Sequence, residues 1–100
     1  MKPIQNTPWG PAQTVEVVGT HQGHQIVHVT TASHGGYYVP LPLLLAIPPA
    51  YRLRAQQWSG SPHWFEEDCE WASVAVTFPD LFPVKAVTAA RETIAWRERA

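Results

Sequence analysis

Ten prolines cut this 100-residue chain into short pieces, and their positions limit what each piece can become. Proline has no backbone N–H and clashes with the preceding helical turn, so it sits at the ends of helices and strands rather than inside them. None falls between Pro11 and Pro40, and that stretch carries the strand pattern. Residues 14–18, Thr-Val-Glu-Val-Val, are β-branched and partly alternating. Residues 25–31 alternate more clearly, with Val27, Val29 and Thr31 on one face and Ile26, His28 and Thr30 on the other. The polar segment 19–24 turns the chain between them and makes a hairpin. Residues 32–36, Ala-Ser-His-Gly-Gly, break the second strand. Tyr37, Tyr38 and Val39 read as a third, ended by Pro40 and Pro42.

The later prolines frame helices. Pro48-Pro49 opens one over 50–56, because proline is tolerated in a first turn. Residues 59–62, Ser-Gly-Ser-Pro, break it, and Ser61 with Pro62 supplies an N-cap and first position for a helix over 63–78. Phe65, Cys69, Ala72 and Val76 form one stripe of that helix; Trp71, Val74, Ala75 and Phe78 form another, which marks it as the central, most buried helix. Pro79 stops it. Pro83 or Val84 opens the last helix, running to about Arg99 with Val84, Val87, Ala90, Arg91 and Ile94 inward. Residues 1–13 hold three prolines and read as an extended arm that Trp9 pins to the body. The expected architecture is α+β: a single domain, 1–100, with a small three-stranded antiparallel sheet in the N-terminal half packed against three C-terminal helices.

A chain this short supports one core. Only 15% of its residues are charged, well under the usual quarter or so, which leaves apolar surface for a partner to cover. The net charge of −1 gives none of the basic footprint of a nucleic-acid binder. Its distribution is uneven: between Arg54 and Lys85 there is no base, while Glu66, Glu67, Asp68, Glu70 and Asp80 all fall there. Cys69 is the lone cysteine, so no internal disulfide forms. The first residues have no apolar leader core, and the apolar stretch 40–50 holds four prolines and is too short for a bilayer. The expected location is a reducing cytoplasm.

Candidate chemistry is sparse. His21, His24 and His28 lie close in sequence, and Glu66, Glu67 and Cys69 could join them, but the spacing fits no zinc pattern. Cys69 with His34 invites a thiol nucleophile. Reactive thiols sit beside cations or helix N-termini, whereas Cys69 lies between Asp68 and Glu70 and on an apolar stripe, which reads as a buried small residue. Ser33 and His34, being neighbours, point to opposite faces, and Gly35-Gly36 matches no phosphate loop. The acids read as one exposed helical arc, either a solvated face or a docking face for Lys or Arg of a partner. No metal, cofactor or catalytic residue is assigned.

Three stretches carry a resemblance: residues 7–13 (TPWGPAQ), 31–36 (TASHGG) and 64–72 (WFEEDCEWA), the last running on through Phe78-Pro79-Asp80-Leu81-Phe82. Together they resemble, over roughly 7–82, a domain of unknown function found in proteins of phages, plasmids and integrated elements. That resemblance implies no catalytic residues. The size and setting are similar to anti-CRISPR proteins that act on type I complexes. The implied function is stoichiometric, non-catalytic inhibition of a host defence complex, most directly a type I CRISPR surveillance complex such as type I-F, by blocking its engagement of target DNA. The expected contacts are Glu66, Glu67, Glu70 and Asp80, with Tyr37, Tyr38 and Trp64 as aromatic anchors. Two alternatives stand beside it: a small hydrolase or metal-dependent enzyme using His34, Cys69 and Glu67, and a structural adaptor that homo-oligomerises through its Trp-rich surface.

Overall fold

The sheet grows from a tight hairpin. In the computed structural model, which describes residues 4–99, strand β3 (Thr14–His21) pairs antiparallel with β4 (His24–Thr30). Two short strands precede them, β1 (Asn6–Thr7) and β2 (Gly10–Pro11). The β3–β4 turn is Gln22-Gly23, with φ of 51° and 81°. Positive φ at both central residues matches the right-handed twist of the flanking strands. The turn is therefore shorter than the expected 19–24. Gly19 sits opposite Ile26 inside the ladder, just past an irregularity at Val18.

The expected extended arm folds back on itself, with residues 1–3 of it outside the described part. β1 pairs with β2. Thr7 Oγ1 donates to the Gly10 carbonyl at 2.8 Å and accepts the Trp9 N–H at 3.1 Å. The arm is stitched to the sheet where the Gln13 N–H meets the Thr30 carbonyl at 2.7 Å. This hairpin turns Trp9 onto the sheet, where it meets Trp64 edge to face at 5.7 Å.

The main sheet has four strands, not the three expected. β5 (Gly35–Tyr38) pairs with β4 on one side and with β6 (Trp64–Glu66) on the other, giving the antiparallel order β3-β4-β5-β6. β6 lies within the stretch expected to be the start of a helix over 63–78. Without it, β5 would leave a row of backbone donors and acceptors unpaired beside a packed core. The side chains also alternate with the period of a strand: Phe65 enters the core under the helices and Trp64 enters the cluster on the opposite face. After β6 the chain turns through 67–70, and α3 begins only at Trp71 (Trp71–Thr77). Ser61 and Pro62 lie in the preceding turn rather than at a helix start.

Among the described residues there are four α-helices: α1 (Leu41–Leu44), α2 (Pro49–Ser59), α3, and α4 (Val84–Arg99), with a 3-10 turn at Pro79–Leu81. Both α1 and α2 open on prolines, and α2 ends at Gly60 in the left-handed region. The main core joins Ile26, Val39 and Phe65 from the sheet to Leu43, Leu44, Ile47, Ala55, Val74 and Phe78 from the helical side. Small residues let α3 and α4 approach: Ala72 and Ala75 meet Ala90 and Ile94. Val87, Ala90 and Ile94 are buried as expected for α4, whereas Val84 and Arg91 face solvent. On the other side of the sheet a smaller cluster of Val27, Val29 and Trp64 is covered by Ile4, Trp9 and Tyr38. No described helix is long and apolar enough to cross a membrane.

Candidate functional site

The two chain segments that build the site are held by pairing between β5 and β6. Upstream of β5, Thr31 Oγ1 donates to the His34 carbonyl at 2.7 Å and accepts the His34 N–H at 3.0 Å. The Thr31 N–H also reaches that carbonyl, at 2.7 Å. This closed turn fixes the backbone at His34 and leaves its side chain exposed. Two glycines follow because the sheet is crowded on both faces there. A Cβ on Gly36 would strike the Trp9 ring and lie 2.8 Å from the Phe65 carbonyl oxygen. A Cβ on Gly35 would strike the Glu67 carboxylate and lie 2.9 Å from the Val29 carbonyl oxygen.

Downstream of β6, the Glu67 N–H donates to the Gly35 carbonyl at 3.0 Å, which carries the pairing one residue past the strand. Glu66 then caps the turn: its carboxylate accepts the N–H of Asp68 at 2.9 Å and that of Cys69 at 3.3 Å. Burial is the main force raising the Glu66 carboxyl above its ordinary range, and the charge of Asp68 adds to it, while the backbone donors oppose both.

The result is a cleft of about 400 Å³ lined by Trp9, His34, Trp58, Glu66, Asp68 and Cys69. One donor atom each from His34, Glu66 and Asp68 lies within 4.8 Å of the other two. Among the described residues the ion pairs are His28–Glu67, Arg54–Glu70 and Arg97–Glu70, so the carboxylates of Glu66 and Asp68 face each other without a cation. Trp58 at the end of α2 stands 73% exposed, an aromatic wall open to solvent.

The expected contact residues do not share one surface. Consecutive residues of a strand point to opposite faces, and this separates Glu66 in the cleft from Glu67, which pairs with His28 at 3.2 Å on the helix-covered face. Glu70 is not on an exposed arc: it is 1% exposed, held between Arg54 and Arg97, each at 3.4 Å. Trp64, 8% exposed, is core. Tyr37 packs against His28 and Phe82, while Tyr38, on the other face, packs against Trp64 and His63. Asp80 is exposed on the 3-10 turn.

Cys69, expected to be buried, is exposed at the cleft because the helix that would have buried it starts two residues later. The cleft thus brings together His34 and Cys69 of the enzymatic alternative, but Glu66 and Asp68 stand where Glu67 was expected. His21 packs on Phe78 and His28 on Tyr37, so those histidines form no common set. Trp58 and Asp68 are the members that sequence reasoning did not place. The signal for Asp68 lay in the motif itself, since a strand ending at Glu66 leaves the next acids in a turn.

No curated protein and no solved structure matches the chain. A family profile does, over residues 2–99. The chain belongs to the family described as a domain of unknown function, DUF7007.

Proposed function

We propose that this protein is a non-catalytic binding module that seats a basic side chain of a protein partner in the Trp9–Trp58 cleft. One observation carries the reading: the three stretches that carry the family resemblance meet at this cleft. Much of each motif is used by the fold itself. Thr31 closes a turn, Gly35 and Gly36 make room for Glu67 and Trp9, Phe65 and Trp64 are core, and Glu70 is an internal ion-pair partner. Of the side chains left over, His34, Asp68 and Cys69 line the cleft beside Glu66.

Two carboxylates without a cation, walled by indole rings, suit an arginine. Its guanidinium can bond carboxylates in a planar fork and stack on an aromatic face. Proteins that handle nucleic acid expose such arginines and lysines for phosphates, and a module that occupies them would stop DNA engagement. As a product of a phage or other mobile element, its partner would be a host defence complex, with the type I CRISPR surveillance complex as the first to test.

The experiment is a pull-down of the tagged protein from a lysate expressing a type I-F surveillance complex, followed by a target-DNA mobility shift. The expected result is co-purification with loss of the shift, both abolished by Asp68→Lys and weakened by Trp58→Ala. Capture that survives a folded Asp68→Lys variant would remove the cleft from the interface. A shift unchanged by the native protein would remove this partner.

A further inference from the structure

We propose that His34, Glu66 and Asp68 form a binding site for a divalent transition-metal ion of the zinc or manganese class. The donors are one imidazole nitrogen and two carboxylates, all within 4.8 Å of one another, so a small side-chain adjustment brings them inside the span of about 4.4 Å that two ligands at about 2.2 Å from one ion can have. They come from two segments far apart in sequence, the turn before β5 and the end of β6 with the turn that follows it. The sheet holds these segments together: Gly36 lies opposite Glu66, and the Glu67 N–H bonds the Gly35 carbonyl at 3.0 Å. The donors are thus brought together by the pairing of β5 with β6.

The donor set also discriminates among ions. Calcium and magnesium prefer oxygen ligands throughout, whereas an imidazole beside carboxylates suits zinc and its first-row neighbours. Three protein donors leave further coordination positions facing the cleft, as in sites that keep a place for water or a ligand atom. Cys69 lines the cleft but is not among the three clustered donors, so the ion is held by nitrogen and oxygen alone. An ion here would neutralise the carboxylates that the docking reading assigns to a partner's arginine. The metal would therefore close the cleft to the partner. That consequence rests on the docking reading, while metal binding itself does not.

Isothermal titration calorimetry of the chelator-treated full chain with zinc chloride, and separately manganese chloride, tests the site without any partner. One equivalent is expected to bind. His34→Ala and Asp68→Asn should each weaken binding by at least about tenfold, while Cys69→Ser and His24→Ala leave it unchanged. Circular dichroism of each variant separates a lost ligand from a lost fold. Failure of both ions to bind, binding indifferent to His34→Ala in a folded variant, or binding lost in Cys69→Ser would overturn the site. In the pull-down, added zinc should reduce capture of the partner by the native protein. Zinc binding without any partner capture would leave the metal site standing and the docking reading fallen.

Discussion

Glu66, Glu67, Asp68 and Glu70 are alike in charge and close in sequence, yet they do four different things. Glu66 ends a strand and caps a turn, Glu67 crosses to the other face to meet His28, Asp68 opens on the cleft, and Glu70 is sealed between two arginines. Mutation should separate them. Removing one member of a buried ion pair strands its partner, at a cost of about 3–5 kcal/mol. Arg97 is only 7% exposed and Arg54 is 47% exposed, so Glu70→Ala should fall at the lower end of that range in denaturant unfolding. Glu67→Ala removes a half-exposed pair with a histidine and should cost under about 1 kcal/mol. A Glu70→Ala loss as small as that of Glu67→Ala would show that the arginine contacts are dispensable. Charge reversal at Glu70 therefore probes the fold, and Asp68 is the residue whose reversal probes binding.

At the scale of elements, the hairpin, the proline-opened helix α2 and α4 were legible, because periodicity and punctuation agreed there, whereas α1, a fourth helix beyond the three expected, was hidden by prolines that read only as a strand end. β6 was hidden as well. Residues 64–78 hold so many apolar side chains that both a helical and a strand period can be drawn through them, and local composition cannot decide between the two. The free edge of β5 decides, since its backbone must pair and residues 64–66 are what reach it. That strand converts an imagined acidic arc into a cleft, so the site was hidden by the same ambiguity that hid the element. Two consequences are measurable. Phe65 is wholly buried, and Phe65→Ala should cost about 3–5 kcal/mol in unfolding by urea. On β5, burial chiefly and then the Glu67 charge raise the Tyr37 phenol above its ordinary value; burial and the Glu98 bond do the same for Tyr51. A raised acid favours the folded state while protonated, so this stabilisation is complete below pH 10 or so. It is lost as pH climbs through the raised values. Stability should therefore fall from about pH 10 upward, and Tyr37→Phe should flatten part of that fall. An ultraviolet titration in which no phenol ionises late would contradict this.

Across the whole molecule the sheet is covered unequally. Helices bury one face with a large apolar cluster, while the other depends on the arm, through Ile4 and Trp9, for its cover. Trp9 does two jobs there. It packs over Gly36 and against Trp64, and it forms a wall of the cleft. The tolerance at Gly36 is correspondingly narrow: an added methyl meets the indole on one side and a backbone oxygen at 2.8 Å on the other. Overpacking of this kind costs about 1–3 kcal/mol, because the backbone cannot yield cheaply. Gly36→Ala should lower the denaturant midpoint accordingly, and Trp9→Ala, which removes the obstacle, should recover part of the loss when combined with it. Non-additivity is the signature of two residues in direct contact. If the double variant is as unstable as the sum of the two single ones, then the arm does not lie on the sheet at Gly36. In that case the cleft would lose its Trp9 wall, and cation capture would rest on Trp58, Glu66 and Asp68 alone.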